Sequence, residues 1–445
     1  MRSPKSILLL GAVFLTGLIL LFKAQEERGL RFESENQLHD EALSSRLEEL
    51  RKLEALLKPL PEGDIRQTES NGKVAETRPK PSDELEEKDS TPGEGEQDIT
   101  ENVPVDEISE LDQAESRVLQ KVVILTYMRS GSTFTGNLFE SHEDAFYVYE
   151  PLWRLQKKHF AHDEVMYFRK PNIKANGDVM DSRSEAAHTL QAVLSCDFLN
   201  VDIDTLKQGH MVSSKDTAKF RFCVMSHPGI EGVRQCLREL YVPCKQRRVT
   251  VAKTIRFSMT QAGKLLEADP AVKIIHLVRD PRGMFRSQRS VADIKWGELP
   301  KESKLRCNRI MKDIHESVQL SERFPKRILT VRYEDIAERP QESAEQMYSF
   351  VGLRMTDRLR SYIHNITYAG RPDDCTICAT RSNSTRTAYK WREGLDFASV
   401  RTIDQSCAQV YDVMGFRPYE KEEDVLKYLP KLDTFSDVFY KLKYR

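Results

Sequence analysis

Long apolar runs are what this 445-residue chain has least of. There is one such run, the uncharged sixteen residues Ile7 to Phe22, which excludes a multi-span membrane protein. Cysteine is absent from the first 195 residues, and aromatics are absent from residues 23–118 apart from Phe32. A segment so poor in aromatics cannot bury enough surface to offset its ordering entropy, so no folded domain is expected there. Net charge is nearly absent, at −1, yet this balance hides two opposite halves. Residues 23–120 carry 13 Lys and Arg against 27 Asp and Glu, while residues 121–445 carry 53 against 42. An acidic spacer therefore precedes a basic body, and a basic body points to anionic ligands.

The ends of the apolar run argue for a membrane anchor. Arg2 and Lys5 precede it, and Leu20, Leu21 and Phe22 close it with only Ala24 small, a poor cleavage site for a removed signal. The expected layout is a cytosolic tail at 1–6, a transmembrane signal anchor at 7–22, a disordered acidic stem at 23–118 and a folded lumenal domain at 119–445. Within the stem, Leu43, Leu47, Leu50 and Leu57 mark a short amphipathic helix, through which a homodimer would form if the helix self-associates. Asn365-Ile366-Thr367 and Asn383-Ser384-Thr385 are glycosylation acceptors that suit a lumenal body, as do eight cysteines, whose pairing the sequence leaves open. Cys375-Thr-Ile-Cys378 lacks a second pair at zinc spacing, so a short-range disulfide, or two separate ones, is expected there and no metal.

Two segments carry chemistry. Val122 to Tyr127 is a continuous apolar run rich in β-branched residues that predicts a buried parallel strand. Met128-Arg129-Ser130-Gly131-Ser132-Thr133 follows and then a helix opens, which is the layout of an anion cradle at a helix N-terminus. The loop lacks the Lys-Ser/Thr of a Walker A sequence, which disfavours an ATPase or kinase. A plain helix cap by Ser130 or Ser132 is the alternative. Val272 to Val278 predicts a second buried strand, running into Arg279-Asp280-Pro281-Arg282-Gly283-Met284-Phe285-Arg286-Ser287. Three arginines at one strand end suit a second anionic group, with Asp280 free to brace one of them; a salt-bridged surface turn is the alternative.

Together, TYMRSGSTF and, about 150 residues on, LVRDPRGMFRSQ resemble the Golgi carbohydrate sulfotransferases. The closest likeness is to the branch that sulfates the 6-hydroxyl of galactose, N-acetylgalactosamine or N-acetylglucosamine. Tyr149-Glu150-Pro151-Leu152, Lys253 with Arg256, and the stretch from Thr380 to Arg392 extend the resemblance over roughly residues 121–420. It implies an α/β, P-loop-like parallel sheet. It also implies that Arg129, Ser130, Gly131, Ser132, Thr133, Phe134 and Thr135 hold the 5′-phosphosulfate of 3′-phosphoadenosine 5′-phosphosulfate (PAPS). Residues Arg279 to Ser287 would hold its 3′-phosphate, with Arg279 and Ser287 in direct contact. Gly283 and Arg286 depart from the residues usual in the family.

The reaction so implied is in-line sulfuryl transfer to a sugar hydroxyl of a chondroitin, keratan or related chain, with no metal and no nucleic acid. Arg129 keeps its proton and can only stabilise the charge that grows on the leaving phosphate. Glu150, after an apolar strand, is expected as general base with a pKa raised by its setting; His142 is the runner-up, and a bracing salt bridge is the alternative role for Glu150. Lys253 and Arg256 are expected to touch the sulfonate or an acidic acceptor, or else to be solvated. Trp391 is expected beside the cofactor, as an anchor of the C-terminal segment, or in the core. Acceptor choice is expected in variable surface loops between Pro151 and Val249. Two rival readings are a P-loop kinase-like enzyme and a catalytically silent lumenal glycan-binding protein.

Overall fold

The computed structural model describes residues 105–174, 179–291, 293–370 and 379–432. The anchor at 7–22, the stem as far as residue 104 with its leucine helix, and Cys375 and Cys378 lie outside the described residues. The last part of the expected stem is a correction: Val105–Gln113 is a helix, Ile108 is buried in a core with Tyr241, and Asp112 accepts from the Tyr241 hydroxyl at 2.8 Å, so the folded body begins before residue 119. Among the described residues no helix is long and apolar enough to cross a membrane.

In chain order the elements that build the site are β1 (Gln120–Leu125), α1 (Ser132–Glu140), β2 (Ala145–Tyr149), β3 (Val249–Thr254), β4 (Val272–Val278), α2 (Pro281–Arg289), α3 (Leu299–Arg323), β5 (Ile328–Arg332), α4 (Tyr333–Glu338), α5 (Ser384–Tyr389) and α6 (Phe397–Met414). The five strands form one parallel sheet in the order β2–β3–β1–β4–β5. β1 is central: Val123 lies opposite Ala252 on one side and Ile274 on the other. Helices cover both faces, so Val122, Val123, Ile124 and Leu125 are all fully buried, each contributing roughly 1.5–3 kcal/mol through lost apolar hydration. Both β-branched runs form the expected buried strands. β1 stops two residues early, because the Thr126 hydroxyl donates to the Leu277 carbonyl and the Tyr127 hydroxyl contacts His276 and Asp313.

The chain steps from β1 to β2 on one side of the sheet and later returns to β4 on the other. The strand order thus reverses at β1 and β4, and an open parallel sheet gathers ligands at such a switch point, outside the carboxyl ends.

The described residues between Pro151 and Val249 are mostly not surface loops. They fold largely into helices, with one short antiparallel strand pair, Glu164–Val165 and Ile173–Lys174, and the apolar helix faces meet in a core with Phe146 and Val148 of β2, including Phe198, Phe220, Leu240 and Tyr241. Lys158 is buried here, between Asp202 at 2.7 Å and Asp204 at 2.8 Å. Disulfides Cys196–Cys244 and Cys223–Cys236 staple this layer, and Cys307–Cys407 clamps α3 to α6.

Candidate functional site

A cavity of about 480 Å³ opens at the carboxyl ends of β1, β2, β3 and β4. The loop after β1 supplies its floor. Arg129 and Gly131 both sit in the left-handed region, with φ of 64° and 81°. Gly131 is required twice over, since a Cβ there would also lie 2.1 Å from the Tyr333 ring. Gly131 is the N-cap of α1 and no side chain caps that helix, so the Ser130 and Ser132 hydroxyls do not serve as caps. The first N–H groups of α1 have no acceptor within the helix and carry its positive dipole end.

The two motif loops meet at this point. Arg129 Nε donates to Ser287 Oγ at 2.8 Å, and Arg279 Nη1 donates to the Arg129 carbonyl at 2.8 Å. Gln288 Nε2 donates to the Met128 carbonyl at 3.0 Å. Arg279 stacks on the Tyr333 ring, 4.6 Å from its centroid, and lines the cavity with only 9% exposure. Its Nε is buried with no hydrogen-bond partner, a costly arrangement that an anionic ligand would relieve. Gly283 leaves room for it, because a Cβ there would lie 3.0 Å from that nitrogen. Burial, then the neighbouring Arg279 and Arg381 guanidiniums, hold Arg129 below its usual pKa. An anion beside Arg129 would offset both its burial and its like-charged neighbours.

Not every residue of the two motifs reaches this cavity. Arg129, Gly131, Ser132, Thr133, Phe134, Arg279, Gly283, Arg286 and Ser287 line it, whereas Ser130, Thr135, Asp280, Pro281, Arg282, Met284 and Phe285 do not. Met284 and Phe285 pack in the core with Ile310 and Tyr411. Arg282 is a correction to the expected anion contact: it is fully buried, paired with Asp280 through Nε at 2.9 Å and with Asp404 at 3.3 Å. Trp391, Tyr411 and Tyr419 surround its guanidinium within about 5 Å. Burial would lower its pKa, but Asp280, Tyr411 and Asp404 together raise it. Asp280 does brace an arginine, and it caps α2 as well. Trp391 packs in the core with Val400 and Tyr419, as one expectation had it, and it also lines the cavity wall.

Glu150 stands directly after β2 with φ of 48°, a conformation rare for a residue with a side chain. It lines the cavity, but its carboxylate is not apolar in setting. Oε1 lies 2.7 Å from Lys253 Nζ, and Oε2 lies 2.8 Å from Arg256 Nη1. The Ile255 amide donates to Oε1 at 3.2 Å. Burial alone would raise its pKa, yet Lys253 and Arg256 outweigh burial and hold it below the usual carboxylate range. The expected upward shift is therefore reversed. Lys253 and Arg256 line the cavity as well, and their pairing with Glu150 corrects the alternative that they are merely solvated. His142 faces away from the cavity: its Nδ1 accepts from the Asp144 amide and its Nε2 donates to the Arg354 carbonyl.

Residues that sequence reasoning passed over complete the wall. Tyr333 opens α4 after β5, and Trp153 and His210 meet edge to face with ring centroids 4.9 Å apart. Arg381, Ser384, Thr387 and Lys390 come from the Thr380–Arg392 stretch. Of the two glycosylation acceptors, Asn365 is exposed on the helix Asp357–Thr367, and Asn383 caps α5 by accepting from the Arg386 amide at 2.8 Å.

The description "Sulfotransferase family" matches residues 121–357, more than half of the chain. Human carbohydrate sulfotransferase 5 is 28% identical over 333 residues, covering 67% of this chain and 77% of that protein. Mouse carbohydrate sulfotransferase 1 is 29% identical over 339 residues, covering 68% and 81%. Among solved structures, mouse sulfotransferase SULT7A1 complexed with PAP aligns with a TM-score of 0.35 and 12% identity, over 72% of this chain and 93% of that one.

Proposed function

This chain belongs to the sulfotransferase family, and we propose from that premise that it moves a sulfuryl group from PAPS to the 6-hydroxyl of galactose, N-acetylgalactosamine or N-acetylglucosamine. The acceptor would be a glycosaminoglycan or a glycoprotein glycan. One observation carries the reading: two loops 150 residues apart share hydrogen bonds and aim arginines into one cavity, where a buried Arg279 nitrogen has no partner. A ligand with anionic groups at two ends suits such a site.

PAPS supplies the activated sulfuryl group, and every other role falls to the chain. The N–H groups at the start of α1, with Ser132 and Thr133, bind the 5′ end. Arg129 stabilises the charge that develops on the departing phosphate, and needs no reorganisation because Ser287 and the loop already fix it. Arg279 and Ser287 bind the 3′-phosphate; Arg286 lies at the same end. Glu150 accepts the hydroxyl proton. Lys253 and Arg256 keep it ionised and fixed in place, so its effectiveness depends on placement against the hydroxyl and not on a tuned pKa.

The same reading places the enzyme in the Golgi membrane, anchored through Ile7 to Phe22 with residues 119–445 in the lumen and Asn365 and Asn383 as glycan acceptors. Incubating the full chain in detergent with labelled PAPS and a panel of glycans tests it. Disaccharide products should carry label on a 6-hydroxyl; no transfer to any glycan would overturn the assignment.

A further inference from the structure

The order of the strands assigns a place to the acceptor. The loop after β1 lies at the centre of the cavity, and Arg279 and Ser287 follow β4 on one side of it. β3 and β2 lie on the other side. In an in-line displacement the attacking oxygen approaches opposite the leaving group. With the nucleotide running from the β1 loop toward β4, the attacking hydroxyl must arrive from the side of β3 and β2. There the character of the wall changes. Next to Glu150 it is built from Tyr149, Trp153 and His210, with Ile255 beside them. His210 meets Trp153 and Tyr149 edge to face, with centroids 4.9 and 5.4 Å away. Tyr149 is itself fixed, with the Lys253 ammonium 4.3 Å from its ring centroid. The Lys157 ammonium lies 4.1 Å from the Trp153 ring centroid, so this wall also carries a cation.

Aromatic surface has little use in holding phosphate, but it suits the apolar C–H face of a pyranose ring. We propose that Tyr149, Trp153 and His210 form the acceptor subsite, which packs against the sugar that receives the sulfuryl group and sets its hydroxyl against Glu150. This rests on the sulfuryl-transfer reading above, and it adds which wall chooses the sugar. The wall is assembled from two distant segments, the end of β2 with the helix Trp153–Ala161 and the turn Gly209–Ser213 of the helical layer.

The test separates donor from acceptor. Binding of adenosine 3′,5′-bisphosphate (PAP) is measured by calorimetry, and kcat and KM for a glycan acceptor are measured by labelled transfer, in the full-length chain and in Trp153→Ala, Trp153→Phe and His210→Ala. Trp153→Ala and His210→Ala should each raise the acceptor KM about tenfold or more while the PAP dissociation constant stays within about twofold. Trp153→Phe should recover most of the acceptor affinity. An acceptor KM unchanged in both alanine variants would overturn the proposal. So would a loss of PAP affinity in Trp153→Ala as large as in Arg279→Ala, since the wall would then belong to the nucleotide. A wild-type chain that binds no PAP would overturn the sulfuryl-transfer reading and the subsite together.

Discussion

The two ends of the cavity handle charge in opposite ways. At the β1 and β4 end, Arg129 and Arg279 are crowded together, and Arg279 keeps a buried nitrogen without a partner. At the β2 and β3 end, Glu150 is the only carboxylate among the described cavity residues, and Lys253 and Arg256 engage both its oxygens. A charge left unanswered within the protein marks where a ligand's charge will sit. A charge answered twice marks a group that is being held still. Arg279 and Arg282 repeat this contrast at a distance of three residues: one faces the cavity, and the other is enclosed by Asp280, Asp404 and three aromatic rings.

That contrast can be broken at several points. Arg282→Ala strands two buried carboxylates and should cost about 3–5 kcal/mol of folding stability, read by chemical denaturation, whereas Arg279→Ala should leave stability nearly unchanged and weaken PAP binding by roughly 10- to 100-fold. Arg129→Ala should lower kcat by about 10²–10³-fold in the fully folded chain, measured by labelled sulfate transfer. Glu150→Gln should lower kcat by roughly 10²-fold, near the low end for a general base, while PAP affinity stays close to normal. The smallest effect concerns Glu334, whose Oε1 accepts the Asp280 amide behind Arg279. Burial, then the nearby Asp280, push its carboxyl up to about 8. A folded pKa above the unfolded one gives stability that is complete below about pH 4.5 and lost as pH rises through 8. Glu334→Gln should therefore flatten the fall of thermal stability between those limits.

Much of this was legible in the chain. Val122 to Leu125 and Val272 to Val278 announce buried parallel strands through apolar, largely β-branched runs, and the loops that follow them carry their arginines and hydroxyls in plain view. What the sequence hides is which arginine turns inward. Arg279 and Arg282 look alike until Asp404, on a helix more than a hundred residues later, is brought beside one of them. Glu150 reads as a carboxylate after an apolar strand because Lys253 of β3 and Arg256 just beyond it arrive about a hundred residues on. The helical layer between Pro151 and Val249 reads as surface because its apolar positions are spread over short helices, and its two disulfides give no hint of their pairing. Trp153 and His210 had no signal at all, since a lone Trp is as readily core, and the two meet only through folding.

A crystal structure with PAP bound tests the central claim most directly. The account predicts continuous nucleotide density across the cavity, with the 5′-phosphate on the amides of Gly131, Ser132 and Thr133 and the 3′-phosphate on Arg279 and Ser287. Density for the nucleotide at any other surface, or a 3′-phosphate that leaves Arg279 untouched, would contradict it.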